Sequence, residues 1–260
     1  MNGSAIWAMA MLVIRELYRR KDFYVVFILT AVITLGAGAM NFFNEGNIVR
    51  YLKEICLTLI WLSSIAIAVM TAARQIPAEI EQKTVLPLLA KPVTRSDVVI
   101  GKFLGCWLAC GAALLTFYIF FAIAVGSRDD SFLLAGWLQA IMLHWFMLGV
   151  LVSMTLLGSL VFAAVSSNAT IVLLATAFIL GILRHLNSVA LTQAEPVQSL
   201  FYAVYFCFPH LEFYDVRDII VHSWPPIAWG VILLAFLYAA FYSGLFLVGA
   251  CQLFKRKPIG

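Results

Sequence analysis

The chain has 260 residues, of which 63% are apolar and only 12% are charged, and its formal net charge is +4. A soluble globular domain is about 45–50% apolar and about 25% charged. A single core of this length cannot bury the apolar excess. The composition therefore excludes a soluble enzyme, a disordered chain and a free nucleic-acid-binding protein, and it indicates a polytopic membrane protein.

Residues 1–22 come first along the chain and contain apolar residues at helical spacing, followed by basic residues. This pattern predicts an amphipathic helix that lies in the membrane interface. The tail 254–260 is basic, and we expect the region between, 23–253, to form a single transmembrane domain.

Six charge-free stretches follow the N-terminal segment, and a spanning helix needs about 20 mostly apolar residues. The fourth stretch is long for one crossing and the fifth is short, so we place the turn between them at the polar triplet Ser166-Ser167-Asn168. We therefore predict an all-α protein with six transmembrane helices, and all 30 charged residues lie outside them. The predicted spans are 23–43, 55–73, 103–125, 132–165, 169–183 and 227–252.

The basic residues divide unevenly between the two sides of the membrane in this plan. The N-terminal segment, the connection after the second span and the C-terminal tail together carry 12 of the 17. Because loops rich in Lys and Arg stay in the cytoplasm, we expect both termini to be cytoplasmic, which requires an even number of spans.

The connection 74–102 is too long for a simple turn and carries its own structural signals. Glu79 and Lys83 are spaced as an i,i+4 pair on an exposed helix turn, and the leucines between residues 86 and 89 give that helix an apolar side. Pro92 then breaks it, and Thr94 or Ser96 can cap the helix that enters the third span. A short helix with apolar and charged surface at the membrane face is suited to contact a cytoplasmic partner.

The same segment resembles the ABC-2 type permeases, which are membrane subunits of bacterial ABC exporters, and is most similar to the nitrous-oxide-reductase maturation type. The matching residues are Glu79-Ile80-Glu81, Thr84, the run 88–95, and Gly101-Lys102. The resemblance extends to the six-span plan and the amphipathic N-terminal helix. It implies a multi-pass protein of the bacterial inner membrane.

The resemblance also implies that this connection carries a coupling helix that docks on an ATPase subunit. Two ATPase copies and a second permease copy, identical or related, would complete the transporter in the lipid bilayer, and an accessory extracytoplasmic protein is compatible with it. By this resemblance the residues assigned to ATPase coupling are Glu79, Glu81, Thr84, Leu88, Leu89, Lys91, Pro92 and Arg95.

The chain itself has no sequence pattern for binding ATP. A P-loop needs Gly-x-x-x-x-Gly-Lys-Ser/Thr, whereas Phe103 follows Gly101-Lys102 and Ser96 stands where the first glycine would be. We therefore predict no catalytic residue, cofactor or metal in this chain, and we expect ATP and Mg²⁺ to be bound by the partner ATPase.

The loop 184–226 contains a second apolar stretch, 197–208, which is too short to span a membrane and predicts a re-entrant or interfacial helix before the last span. Pro209 ends this stretch. His210, Glu212, Asp215 and His222 follow it and carry metal-ligating groups, but their spacing matches no known ligand pattern and favours a solvated surface.

Two further features of the predicted spans are more typical of packing than of chemistry. His144 is the only ionisable group within a span, and although such a residue suggests function, a neutral imidazole bonded to a neighbouring helix is the simpler interpretation. Pairs of glycines permit close helix approach, and they occur at Gly36 and Gly38, Gly101 and Gly105, and Gly149 and Gly158.

Three other functions remain open at this point. An ion-coupled secondary transporter normally places carboxylates at the membrane centre, and the predicted spans have none. A membrane enzyme would need a catalytic partner for His144. An ABC-type complex that does mechanical or regulatory work without moving a solute is compatible with the same residues. The uncharged, aromatic-rich spans weakly favour a lipid-like or amphipathic cargo.

Overall fold

A computed structural model of the chain describes residues 3–19, 28, 32, 45–81, 94–126, 134–162 and 164–257. Within these ranges the regular structure is helical throughout, which confirms the predicted all-α class. The elements are α1 (Gly3–Tyr18), α2 (Glu45–Glu81), α3 (Arg95–Gly126), α4 (Leu134–Val161), α5 (Val165–Phe178), a π-helical turn (Ile179–Leu183), α6 (Arg184–Ala190), α7 (Val197–Cys207), a 3-10 turn (Leu211–Tyr214), α8 (Arg217–Val221) and α9 (Trp229–Arg256).

Five helical segments in the described ranges are long and apolar enough to cross a membrane. They correspond to the second to sixth predicted spans, and the predicted first span, 23–43, lies outside the described residues except for Ile28 and Val32. The five segments are Arg50–Glu81, Arg95–Ile123, Leu134–Val161, Val165–Leu183 and Trp229–Arg256.

Helix α4 forms the centre of the bundle and packs against α2, α3, α5 and α9. Its most apolar segment is 72% buried within the chain, compared with 17% for α9. The outward residues of α9 are mostly large and apolar, so α9 presents a surface suited to lipid or to another membrane protein.

Helices α3 and α4 are held together by a reciprocal pair of tryptophans. The rings of Trp107 and Trp145 stack with centroids 4.6 Å apart, and each indole N–H donates to the backbone carbonyl of the other residue, at 2.9 and 3.1 Å. Gly111 and Gly149 leave room for the rings, since a Cβ at either position would lie 2.5 or 3.0 Å from an indole nitrogen. Two apolar helices thereby satisfy two polar groups without water.

Helix α4 ends at Val161 and α5 begins at Val165, so the boundary between them lies a few residues before the predicted turn at Ser166-Ser167-Asn168. These three residues instead form the first turn of α5. The buried Asn168 side chain donates to the carbonyl of Thr155 in α4 at 3.2 Å, and Gly158 leaves space for it. A polar triplet in an apolar region therefore marks a side-chain contact between two helices, not the end of a helix.

Helix α1 packs against the first turns of α3. Gly101 and Gly105 make this close contact possible, because Cβ atoms built there would lie 2.9 Å from the Cβ of Met9 and 2.7 Å from the Cβ of Val13. The predicted role of this glycine pair is confirmed. We call the end of the bundle that contains α1, the start of α3 and the end of α9 the basic end, and the end that contains segment 184–228 the loop end.

Segment 184–228 re-enters the bundle beside α9. The hydroxyl of Tyr242 donates to the carbonyl of Phe208 at 3.5 Å. Because an α-helix rises ~1.5 Å per residue, Tyr242 lies about 20 Å further along α9 than Trp229, and Phe208 is therefore near that level. The chain then returns toward the loop end, because the Tyr214 hydroxyl donates to the carbonyl of Ala235 at 2.9 Å. The short apolar helix predicted before the last span is present as α7, and whether it is re-entrant or interfacial stays a prediction.

Replacing Gly105 by alanine should separate α1 from α3, because the added Cβ would also lie 2.8 Å from the backbone oxygen of Ala10. Overpacking of this kind costs about 1–3 kcal/mol of unfolding free energy, which thermal unfolding in detergent would measure. The matched control is Gly244→Ala, where the Cβ meets no atom within 4 Å. Equal stability of the two variants would contradict the packing account.

Candidate functional site at the junction of helices α2 and α3

The basic end of α2 extends beyond the predicted second span. The helix runs without interruption to Glu81 and includes Pro77, which cannot donate a backbone hydrogen bond. Gln75 and Glu79 lie one turn apart and therefore share a helix face. The first eight residues of the predicted connection 74–102 are thus the end of a transmembrane helix, and residues 95–102 are the start of the next one.

Lys102 of α3 joins the two helices. Its ammonium lies 2.5 Å from a carboxylate oxygen of Glu79 and donates to the Gln75 amide oxygen at 3.2 Å. The Lys102 side chain is only 3% exposed, and that of Glu79 is 15% exposed. We call Gln75, Glu79 and Lys102 the ion-pair cluster. A buried ammonium requires such partners, since an unpaired charge in an apolar environment is strongly unfavourable.

Helix α3 begins with a reciprocal cap. The Thr94 hydroxyl and backbone N–H both donate to the carboxylate of Asp97, at 2.8 and 3.1 Å, and the Asp97 N–H donates to the Thr94 hydroxyl at 3.2 Å. This is the capping-box arrangement, in which two free N–H groups at a helix start are satisfied at once. The prediction that Thr94 can cap this helix is confirmed. Because the cap fixes the residue at which α3 starts, it also fixes the face of α3 on which Lys102 lies.

The Gly101-Lys102 pair has two separate structural roles. Gly101 faces α1, where its Cβ position is 3.2 Å from the carbonyl oxygen of Ile6, while Lys102 faces α2. Both residues lie within α3, so the pair is not part of a glycine-rich phosphate-binding loop.

Arg95 ties the start of α3 to the end of α9. Its guanidinium donates to the carbonyls of Phe254 and Lys257 at 2.8 Å each and to that of Lys255 at 3.2 Å, and it lies 5.8 Å from the centre of the Phe254 ring. A cation at this position satisfies carbonyls that have no partner within the helix and complements the helix dipole. Arg95, assigned to ATPase coupling by resemblance, therefore makes its described contacts within the chain.

The other residues assigned to ATPase coupling flank or fall within segment 82–93. Glu81 is exposed at the last residue of α2. Lys83, the predicted helical partner of Glu79, and most of the assigned residues lie outside the described residues, namely Thr84, Leu88, Leu89, Lys91 and Pro92.

The sequence prediction missed Gln75 and did not pair Glu79 with Lys102. The i,i+4 spacing of Gln75 and Glu79 could have indicated a shared face. Nothing in the local sequence identifies Lys102 as their partner, because that contact depends on how the chain returns after segment 82–93.

A second polar contact ties the loop end to α2. Arg217 donates to both carboxylate oxygens of Asp215, at 2.7 and 2.8 Å, and to the Thr58 hydroxyl at 2.8 Å. Its guanidinium lies 4.7 Å from the centre of the Trp61 ring. Hydrogen bonding to Asp215 raises the pKa of the Arg217 guanidinium above its ordinary value, so this group stays charged. Lys53, also on α2, donates to the carbonyl of Ile220 in α8 at 3.3 Å.

His144 bonds a neighbouring helix, as the simpler interpretation predicts. Its Nε2 lies 2.7 Å from the hydroxyl of Ser64 in α2, and that hydroxyl donates to the carbonyl of Trp61 at 2.9 Å. Which of the two groups donates depends on the tautomer of His144. The contact helps to hold α4 against α2.

The four outer-loop residues with metal-ligating groups do not converge. Asp215 is paired with Arg217, and His222 stacks on Trp224 with ring centroids 5.2 Å apart. No group of three or more His, Cys, Asp or Glu residues placed to hold a metal ion occurs in the described part of the chain.

Replacing Arg217 by lysine should loosen the loop end, because lysine cannot donate to both carboxylate oxygens and to Thr58 in the same geometry. A charged hydrogen bond contributes about 1.5–3 kcal/mol, so amide hydrogen exchange in residues 215–222 should become about tenfold faster or more. Arg256→Lys, at an exposed position of α9, is the control. Unchanged exchange in the Arg217 variant would show that the pair does not hold the loop.

The comparisons with known proteins agree with the membrane architecture. No curated protein matches the chain. The family described as ABC-2 family transporter protein matches residues 2–206, a range that includes α1, the ion-pair cluster and most of α7. The nitrous-oxide-reductase maturation subtype stays a prediction. The matched range covers most of the chain, and the protein therefore belongs to the ABC-2 family of transporter membrane proteins.

Proposed function

We propose that the chain is the permease subunit of an ABC exporter and that ATP hydrolysis in a separate ATPase subunit drives alternating access. Two permeases and two ATPases form the complex in the bacterial inner membrane, and the basic end faces the cytoplasm. Family membership supports the transporter role. The concentration of 12 of the 17 basic residues in segments of the basic end supports the orientation.

The observation that carries this proposal is the ion-pair cluster. Segment 82–93 joins the ends of α2 and α3, and the buried Glu79–Lys102 pair links these ends directly. A force applied to segment 82–93 therefore acts on both transmembrane helices together. Because α2 also contacts Arg217 at the loop end, a movement of α2 reaches both ends of the bundle.

The ATPase should copurify with the tagged chain from native membranes. The Leu88→Ser/Leu89→Ser variant should remain inserted in the membrane but lose transport driven by ATP hydrolysis. These leucines are the apolar docking side predicted by the sequence. Copurification is measured by mass spectrometry, and insertion by protease protection of the tail. Leu233→Ser/Leu234→Ser, in the exposed face of α9, is a matched control.

If the tagged chain purifies in detergent as a stable complex that contains no ABC ATPase, the proposed function is contradicted. Normal coupling in the Leu88/Leu89 variant would contradict only the docking assignment.

Replacing Glu79 by glutamine should abolish the change in ATP hydrolysis rate that the permease imposes on its ATPase. It removes the negative charge that compensates the buried Lys102 ammonium, which costs about 3–5 kcal/mol, so stability must be measured alongside activity. The control is Glu54→Gln, an exposed glutamate on the same helix.

A double variant separates a structural from a functional role of the pair. Replacing a buried ion pair by uncharged residues is often neutral for stability, so Glu79→Gln/Lys102→Met should unfold at about the parental temperature yet remain uncoupled. Parental coupling in this double variant would show that the ion pair only stabilises the fold.

A further inference from the structure

A cavity of about 350 Å³ lies between α9, α4 and the 3-10 turn. Leu143 of α4 and Tyr214 of the 3-10 turn line its inner wall, and Val231 and Leu234 of α9 line its outer side. Its volume is in the lower part of the range typical of small-ligand sites. The proposed coupling between α2 and α3 does not involve any of these residues.

The polar side chains in the lining are already bonded within the protein. They belong to two tyrosines. The Tyr214 hydroxyl donates to the carbonyl of Ala235 at 2.9 Å, and the Tyr238 hydroxyl accepts from the backbone N–H of His210 at 2.9 Å. A water molecule in a cavity needs two to four polar partners, so this lining suits an apolar occupant better than water.

The mouth of the cavity lies on the exposed surface of α9. Val231 is 53% exposed and Leu234 is 66% exposed, whereas Leu143 and Tyr214 are each 2% exposed. The cavity therefore leads from the outer surface of a transmembrane helix to the central helix α4. The apolar material next to such a surface in a membrane is the hydrocarbon of the bilayer.

The cavity follows the axis of α9. Val231, Leu234, Ala235 and Tyr238 line it, and their i, i+3, i+4, i+7 spacing forms one continuous stripe on a helix. The stripe is about 10 Å long at ~1.5 Å per residue and begins two residues after Trp229, the first residue of α9. One leaflet contributes about 15 Å of hydrocarbon, so the cavity has the direction and the length of a single acyl chain from the leaflet at the loop end.

We propose that this cavity binds one acyl chain of a phospholipid from that leaflet, with the headgroup outside the cavity near the start of α9. The chain fills the space between α9 and the 3-10 turn and holds Phe213 and Tyr214 against the bundle. Because the hydroxyls in the lining are already bonded, the site selects a linear hydrocarbon chain and does not distinguish headgroups.

The test uses the full chain in nanodiscs that contain phosphatidylcholine with a diazirine midway along one acyl chain. Mass spectrometry of the irradiated protein locates the attached lipid. We expect adducts on Leu143 and Tyr214, which are too buried for lipid at the outer surface of α9 to reach. Adducts on the exposed Leu233 report ordinary contact with the bilayer. Phosphatidylglycerol with the same modified chain should give the same adducts.

Two variants close the cavity from different sides. Ala235→Phe fills it and Val231→Trp narrows its mouth, so both should lose the adducts on Leu143 and Tyr214 but keep those on Leu233. The matched control is Ala240→Phe, at an exposed position of α9 outside the lining, which should keep all of them.

Three results would overturn the proposal. The first is a parent chain labelled at Leu233 but not at Leu143 or Tyr214. The second is labelling of Leu143 and Tyr214 that persists in both cavity variants or that forms with only one headgroup. The third is a parent chain labelled at none of the three residues because a second copy covers α9. The test needs no ATPase, so its outcome is independent of the proposed function.

Discussion

The buried contact between Lys102 and Glu79 is the constraint on which the basic end of this protein depends. A lysine that is 3% exposed must be compensated, and Gln75 and Glu79 do so from a neighbouring helix. The surrounding features hold that lysine in place. The Thr94–Asp97 cap sets the start of α3, and Gly105 lets α1 support its opposite face. Arg95 adds the end of α9 to the same assembly.

The bundle is held by paired polar contacts between apolar helices. Hydrophobic burial gives little preference for one helix arrangement within lipid, so specific packing and hydrogen bonds between helices become important. The Trp107–Trp145 pair, the Asn168–Thr155 bond and the Ser64–His144 bond each tie α4 to a different neighbour. These contacts explain why α4 lies at the centre, while α9 leaves most of its surface exposed.

Much of this architecture follows from the sequence because it depends on local signals. Charge-free length predicts the spans, the Thr94 cap marks the start of α3, and an apolar stretch too short to cross predicts α7. The glycine pair at 101 and 105 indicates a close helix contact. The loop-end contact of Arg217 with Thr58 and the pairing of Glu79 with Lys102 were not predictable, because each joins residues that only the tertiary fold brings together.

Two polar features of the sequence are positioned by tertiary contacts that polarity along the chain does not predict. The Ser166-Ser167-Asn168 triplet is polar but helical, because Asn168 bonds α4. Glu212 lies outside every predicted span, yet its segment re-enters the bundle beside α9. Charge position along the chain thus predicts which segments span, but it does not give the depth of residues in a re-entrant loop.

The central claim is that α2 and α3 move as one body when force reaches segment 82–93. The most direct measurement is electron–electron double resonance in the permease–ATPase complex, with spin labels on noncanonical residues at positions 81 and 112, both exposed. The account predicts a narrow distance distribution that is the same with and without ATP and that broadens in Glu79→Gln. A parental distance that shifts by several ångströms on ATP binding, or one that Glu79→Gln leaves unchanged, would contradict it.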